Sequence, residues 1–386
     1  MATFAQTAPE LAATAQPRAS SDALNAFCLA LGVRLFYSIL GAYFAPKLRL
    51  DPALIHSNSA TGNLIDRGLH PVLYALLGIW ERFDTLWYLH IARAGYDSAM
   101  STVFYPIYPA LIRVVSILTR SDLASSLVVS TLASFFLFWG ALRLFTLDYK
   151  PAVRWRALVL WVVWPASFTL FAGYPDSLLC ALIVWAIFFA RRQQWLPAGV
   201  LGMFAGLTKA LGCVVALPVL FLAFRTRKPA GFLAGAMCGL GTAGFQLWLA
   251  MKSFPSPASV YATYWHTSTV APWSTLLDSF AGLARGGDLL LILNFLALAL
   301  TTGVALWRDV RPEYRIFTVA AVCIFLTKHT QPLLQSTMRY CVGIFAAFPS
   351  LAARFDSNWL LAAAALFCAA LNLLLFRVFL DWGLVV

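Results

Sequence analysis

One carboxylate of this chain stands in unusual company. Asp84 lies in the run Trp80-Glu81-Arg82-Phe83-Asp84-Thr85-Leu86-Trp87-Tyr88-Leu89-His90-Ile91. At helical spacing Trp80, Asp84, Trp87, Tyr88 and Ile91 share one face, so the acid sits within an aromatic and apolar stripe. Trp and Tyr favour the headgroup level of a bilayer, which lays such a helix along a membrane interface. Gly95 supplies its stop. Partial desolvation there keeps a carboxylate basic enough to take a proton from a hydroxyl, the work of a general base. The ordinary alternative is an interfacial acid paired with Arg82 or Arg93, and spacing alone leaves both readings open.

A base on an incoming hydroxyl is half of a group transfer; the other half is positive charge beside a departing anion. Four residues near the ends of apolar runs offer it: Arg339 and Lys209 first, Lys328 and His329 second. Arg grips a phosphate bidentately, whereas Lys acts as a point charge. Each could equally be a snorkelling side chain or a structural ion pair. Asp176 could orient an acceptor, anchor Lys209 or cap the helix beginning at Ser177. Asp97 is a second carboxylate that nothing in its spacing requires, and His90 falls off the Asp84 face. Tyr261, Tyr264, Trp265, His266 and Trp273 have the aromatic density of a sugar or prenyl platform, and interfacial anchoring explains them equally well. Arg34, midway along the first apolar run, calls for a buried partner. No HxxxH or DxD spacing demands a metal, and no cofactor is required.

The elements that must position these residues are set by composition. With 61% hydrophobic residues, 11% charged and a mean hydropathy of +0.77, the natural solvent is a bilayer. Lipid offers no partner to backbone polar groups, so continuous apolar runs must be helices, and their continuity excludes an alternating barrel pattern. An all-α polytopic membrane protein is therefore expected. Runs long enough to cross roughly 30 Å of hydrocarbon fall at Ala23–Ala45, 122–146, 153–173, 176–191, 197–208, 211–225, 229–251, 288–307, 313–328, 337–353 and 357–381, about eleven spans. The 197–208 and 211–225 runs are short and read as a broken pair meeting at Thr208-Lys209. Residues 1–22 read as a disordered cytoplasmic tail rather than a cleaved signal peptide, and 23–386 as one transmembrane domain.

The net charge of +12 belongs to short loops: Lys150/Arg154/Arg156, Arg191/Arg192, Arg225/Arg227/Lys228, Arg308/Arg311/Arg315 and Arg354. If the spans alternate, all five fall on one side, marking it as cytoplasmic and excluding nucleic acid as the partner this charge serves. Two longer segments, 46–121 and 252–287, then face outward, each with room for interfacial helices. Asp84, Asp176, Lys209, Lys328 and Arg339 share that outer side. The seven cysteines are scattered through apolar runs without metal or disulfide spacing. No internal repeat is visible, which argues against a transporter or lipid flippase with coupling charges at the midplane. A non-catalytic lipid-binding scaffold is the other rival; it would tolerate Asp84→Asn.

These residues carry a resemblance. Arg82-Phe83-Asp84, Trp87-Tyr88, Ile91-Ala92 and Gly95-Tyr96, followed by Phe104-Tyr105-Pro106-Ile107-Tyr108-Pro109-Ala110-Leu111-Ile112-Arg113, resemble the GPI mannosyltransferase 2 (PIG-V-like) family of GT-C glycosyltransferases and its bacterial pattern RWDxxWYxxIAxxGY…FFPLYPLLIR, with Phe83 in place of Trp. Tyr174-Pro175-Asp176-Ser177-Leu178 resembles the family's Y-[ST]-E-S-L turn. Thr208-Lys209-Ala210-Leu211-Gly212 is similar to T-R-P-x-G, with Lys for Arg and no proline. Ser336-Thr337-Met338-Arg339-Tyr340 is similar to S-x-x-R-Y. The resemblance implies a GT-C-like fold and an enzyme that takes a sugar, typically mannose, from a polyprenyl-phosphate carrier and attaches it to a lipid, glycan or protein hydroxyl on the non-cytoplasmic side, inverting the anomeric centre. Another lipid-linked sugar is the alternative. By position it makes Asp84 the base and puts Arg82, Trp87, Tyr88, Tyr108, Tyr174, Asp176 and Tyr340 among the substrate-binding residues. The absence of GxGxxG and P-loop patterns fits a lipid-linked donor better than a nucleotide sugar. A bacterial plasma membrane is the expected location, or the ER membrane if the source is eukaryotic.

Overall fold

The computed structural model describes residues 16–53, 55, 64–355 and 357–383. The chain is an all-α polytopic membrane protein. Its helices are, in order, α1 (Gln16–Phe44), α2 (Pro71–Leu76), α3 (Asp84–Ala94), α4 (Ile107–Thr119), α5 (Asp122–Phe145), α6 (Pro151–Val163), α7 (Asp176–Arg191), α8 (Trp195–Thr208), α9 (Ala216–Thr226), α10 (Pro229–Met251), α11 (Pro257–Tyr264), α12 (Pro272–Ala284), α13 (Leu289–Ala305), α14 (Pro312–Leu326), α15 (Thr337–Cys341), α16 (Ala347–Ala352) and α17 (Asn358–Leu380). Two-residue strands β1 (Ser268–Thr269) and β2 (Lys328–His329) pair antiparallel. Prolines open α2, α6, α10, α11, α12 and α14. That position lacks an intrahelical N–H partner in any case, so the ring sets φ without losing a bond.

Among the described residues four helices are long and apolar enough to cross a membrane: α1, α5, α10 and α17. The remaining expected spans are shorter or broken. The 153–173 run is helical to Val163, turns at Trp164-Pro165, and continues as a 3₁₀ turn over Ser167–Leu170. The 337–353 run divides into α15 and α16, and 313–328 gives way to β2. The 197–208 and 211–225 runs are the broken pair α8 and α9, joined by a 3₁₀ turn over Ala210–Val215. Helix α1 begins at Gln16, inside the stretch read as a tail, while residues 1–15 lie outside the described residues.

Irregular backbone at depth needs protein partners, and α5 supplies them for residues 164–177. Ser134 Oγ donates to Leu170 O at 2.9 Å, and Ser177 Oγ donates to Ser130 O at 3.1 Å. Arg34 completes the patch. Its guanidinium donates to Thr131 Oγ1 at 2.8 Å, to Ser130 Oγ at 3.1 Å and to the Phe171 carbonyl, with the ring centroids of Trp80 and Phe171 at 5.0 and 5.7 Å. The buried partners expected for Arg34 are thus carbonyls and hydroxyls. Elsewhere small residues bring helices close. Gly199, Gly202 and Gly206 of α8 face Ala234, Cys238 and Thr242 of α10, and a Cβ at Gly202 would lie 2.2 Å from the Cys238 sulfur. This is the packing by which helices associate where no hydrophobic effect separates them from lipid.

Candidate active site

Asp84 is the first residue of α3, and the chain reaches it through a sharp corner. Phe83 has φ 46° and ψ −119°, a conformation costly for a bulky side chain. The corner is held by packing: the Phe83 ring lies against Phe379 and Trp382. Trp80 belongs to the preceding 3₁₀ turn, Gly78–Trp80, and packs on Phe376 and Arg34. The continuous stripe from Trp80 to Ile91 therefore begins at Asp84, because the corner interrupts the helical register. At the other end of α3, Arg113 donates to Ala92 O at 2.9 Å, covering a terminal carbonyl.

Arg339, at the heart of α15, brings two distant carboxylates together. Its Nη1 donates to Asp84 Oδ2 at 2.8 Å and its Nε to Asp176 Oδ2 at 2.7 Å. Asp176 opens α7, and Lys209 Nζ reaches its other oxygen at 3.1 Å. The guanidinium lies over the Tyr174 ring, 4.1 Å from its centroid. Arg339 is 5% exposed and Asp176 9%, whereas Asp84 is 34% exposed. One member of the network is therefore open while its anchors are closed. The Oδ1 of Asp84 makes no hydrogen bond among the described residues, and Nη2 of Arg339 is buried without a partner among them.

Two further groups complete the cluster. The Tyr340 ring receives Lys209 Nζ at 5.4 Å and Lys328 Nζ at 5.6 Å, and Lys328 also lies 4.4 Å from the Tyr261 ring on α11. The β1–β2 pairing sets Thr269 beside Lys328 and Ser268 beside His329, which ties the 252–287 segment to the site. His329 Nε2 meets Asp278 at 3.1 Å, an acid on α12 that sequence spacing had not marked. The wall beside Asp84 is aromatic. Trp87 stacks on Phe104 with centroids 5.6 Å apart, and Trp265 lies 6.2 Å from both rings.

The sequence candidates divide accordingly. Asp84, Asp176, Lys209, Lys328, Arg339 and Tyr340 meet in one cluster, with Tyr174 beneath it and Trp87 at its wall. Asp84 pairs with neither Arg82 nor Arg93. The Arg82 guanidinium is buried on the carbonyls of Leu380, Gly78 and Glu81 and on the Tyr74 hydroxyl. It has no free face for a ligand. Arg93 binds Asp122. Tyr88 and Tyr108 are core residues in edge contact, and the Tyr108 hydroxyl donates to Ser126 O. His90 binds Asp97, away from Asp84. In the 46–121 segment, burial pushes the Glu81 carboxyl above its usual range although it accepts the Ile65 N–H at 2.8 Å. Burial likewise raises the Tyr105 phenol to about 12.

Close approach is the feature that spacing concealed. Gly173 packs against α3 and α5, where a Cβ would stand 2.5 Å from Thr85 Cγ2 of the former and 2.9 Å from Ser126 Oγ of the latter. The segment bearing Tyr174 and Asp176 can therefore lie directly on the helix bearing Asp84. A glycine two residues ahead of Pro175 was its one visible sign. Among the described residues no group of three or more His, Cys, Asp or Glu side chains is placed to hold a metal ion.

No protein-family model matches the chain, and no curated protein sequence matches it. Among solved structures it is similar to the crystal structure of ArnT from Cupriavidus metallidurans bound to undecaprenyl phosphate, with a TM-score of 0.46 and 13% identity over 83% of this chain and 77% of that one.

Proposed function

We propose that this protein is an inverting glycosyltransferase that moves a sugar, mannose first among candidates, from a polyprenyl-phosphate carrier to an acceptor hydroxyl. The observation that carries the reading is the joining, through Arg339, of a half-open carboxylate to a cluster with a surplus of positive charge. Arg339, Lys209 and Lys328 face Asp84 and Asp176, leaving one cation over. Asp84 takes the proton of the acceptor hydroxyl, the oxygen attacks the anomeric carbon, and the bond to the phosphate oxygen breaks with inversion. The phosphate leaves with the bonding electrons, and the cations stabilise its charge in a partly water-excluded place. Arg339, with a buried unpartnered Nη2, and the two lysines are the groups that fit that anion. The motif resemblance at 82–113, 174–178, 208–212 and 336–340 supports the same assignment.

The basic loops support an outward-facing site. Arg191 and Arg311 both bind Asp148, and Arg354 binds Asp309, so loops distant in sequence meet at the bundle end opposite Asp84. Under the positive-inside rule that end is cytoplasmic. The test is transfer from radiolabelled polyprenyl-phosphate-mannose to a panel of lipid, glycan and peptide acceptors by the purified protein and by Asp84→Asn. Transfer that survives the substitution removes Asp84 as base. Turnover with a different lipid-linked sugar moves the donor assignment. A labelled lipid or sugar that crosses vesicles unmodified makes the protein a transporter.

A further inference from the structure

A second lipid-shaped feature lies at the other end of the bundle. A groove of about 550 Å³ runs along α14, bounded by Leu217 of α9 and by Leu306 just beyond α13. Its α14 wall is Arg315, Ile316, Val319 and Ala320. These are two i, i+4 pairs and so form one stripe, with the cation at one end and apolar side chains over the next ~7 Å of helix. Helix α14 leads directly into Lys328 at the candidate active site, and thirteen residues of mostly helical rise put Arg315 roughly 20 Å from it. The groove is thus separate from the Arg339 cluster.

Among the described residues no acid pairs with Arg315. The described carboxylates at this end are engaged elsewhere: Asp22 by Arg154, Asp148 by Arg191 and Arg311, Glu313 by Arg191, and Asp309 by Arg354. Arg315 itself makes no ion pair or hydrogen bond among the described residues, and its Nε is buried without a partner. The Arg315 side chain is half-buried at the membrane edge, and a guanidinium there whose Nε has no partner is satisfied best by an anion. The anions available at that depth are lipid phosphates, and basic pockets between helices are where they bind.

We infer that this groove is a binding site for an acidic glycerophospholipid, its phosphate on Arg315 and an acyl chain along Ile316, Val319, Ala320 and Leu217. The occupant is a bilayer phospholipid and not the polyprenyl carrier, because the groove holds one cation, whereas the Arg339 cluster holds three. The site is independent of the transferase reading and survives its failure.

Native mass spectrometry of the full-length protein in a neutral detergent tests it, with phosphatidylglycerol, phosphatidylcholine or undecaprenyl phosphate added at equal concentration. The expected result is retention of phosphatidylglycerol at least fivefold above phosphatidylcholine. Arg315→Gln should remove that preference. Ala320→Trp, which fills the groove and keeps the charge, should lower retention of phosphatidylglycerol, while Arg308→Gln on the neighbouring exposed loop should leave it unchanged. Equal retention of the two phospholipids, or a preference untouched by Arg315→Gln, overturns the site. An equal loss in Arg308→Gln reduces it to diffuse charge and overturns it too. Retention of undecaprenyl phosphate above phosphatidylglycerol, abolished by Arg315→Gln, overturns the choice of occupant.

Discussion

The two ends of the bundle each carry an arginine bridging two carboxylates, and they differ in how completely they are closed. At the basic end Arg191 binds Asp148 and reaches Glu313 at 3.3 Å. Arg311 adds a second cation to Asp148 at 2.7 Å, and the Tyr314 hydroxyl donates to the same acid at 2.9 Å. Two acids meet two cations, and Asp148 and Glu313 are both under a tenth exposed. At the other end Arg339 has the same bridging geometry, but three cations meet two acids and Asp84 stays open. A balanced network has nothing left to offer a ligand. An unbalanced one with an accessible carboxylate has both a base and a place for an anion.

Substitution should therefore separate the two ends by readout. The largest effect is expected of Asp84→Asn, which keeps the side-chain shape and removes the base. Transfer should fall about 10²–10⁴-fold with little change in thermal midpoint. Arg191→Met should do the reverse. It strands Glu313 and part of Asp148, and loss of one partner from a buried ion pair costs about 3–5 kcal/mol. The thermal midpoint in detergent should drop sharply, while transfer per folded molecule stays near that of the parent. If Arg191→Met lowers transfer as much as Asp84→Asn without loss of folded protein, the distinction between the ends fails.

Gly173→Ala probes how the open network is assembled. The added methyl meets Thr85 Cγ2 at 2.5 Å, and overpacking of this kind costs about 1–3 kcal/mol. It should push the Asp176 segment off α3 and loosen the bridge at Arg339, so transfer should fall more than tenfold while the protein still folds. Thr85→Ser in the same chain removes the nearest methyl and should restore part of the rate. A rate unchanged by Gly173→Ala would mean that the two segments need not touch.

How much of this was readable beforehand follows from what each feature depends on. The helical class and the special position of Asp84, in an aromatic setting at a helix start, depend on local composition and spacing, and were legible. The partner of Asp84 was not, since it stands 255 positions away and any of several cations could have served. Where the shorter runs break was hidden for a related reason. Apolar content reports burial, but Trp164-Pro165 and Gly173 break the helix, and the hydroxyls that make the break tolerable lie on α5. Arg82 misled in the opposite sense. A charged residue two positions from the candidate base invites a ligand role, yet its donors are all engaged by carbonyls and one phenol.

The smallest expected effect concerns Tyr340, whose ring and hydroxyl separate two ways of serving the site. Both lysines lie within 6 Å of the ring centroid, the range in which a cation is held by the aromatic face. Phe325 stacks on the same ring at 5.2 Å and fixes its plane. If Tyr340 acts by seating Lys209 and Lys328 for the departing phosphate, Tyr340→Phe keeps the face and should change transfer by no more than about threefold. Tyr340→Leu removes the face, and the loss of two contacts worth about 0.5–1 kcal/mol each should raise the KM for donor roughly tenfold, with a smaller change in kcat. A large loss in Tyr340→Phe would instead assign the work to the hydroxyl. The open end of the bundle would then hold a proton donor as well as a base, a difference from the closed end that its charges alone do not reveal.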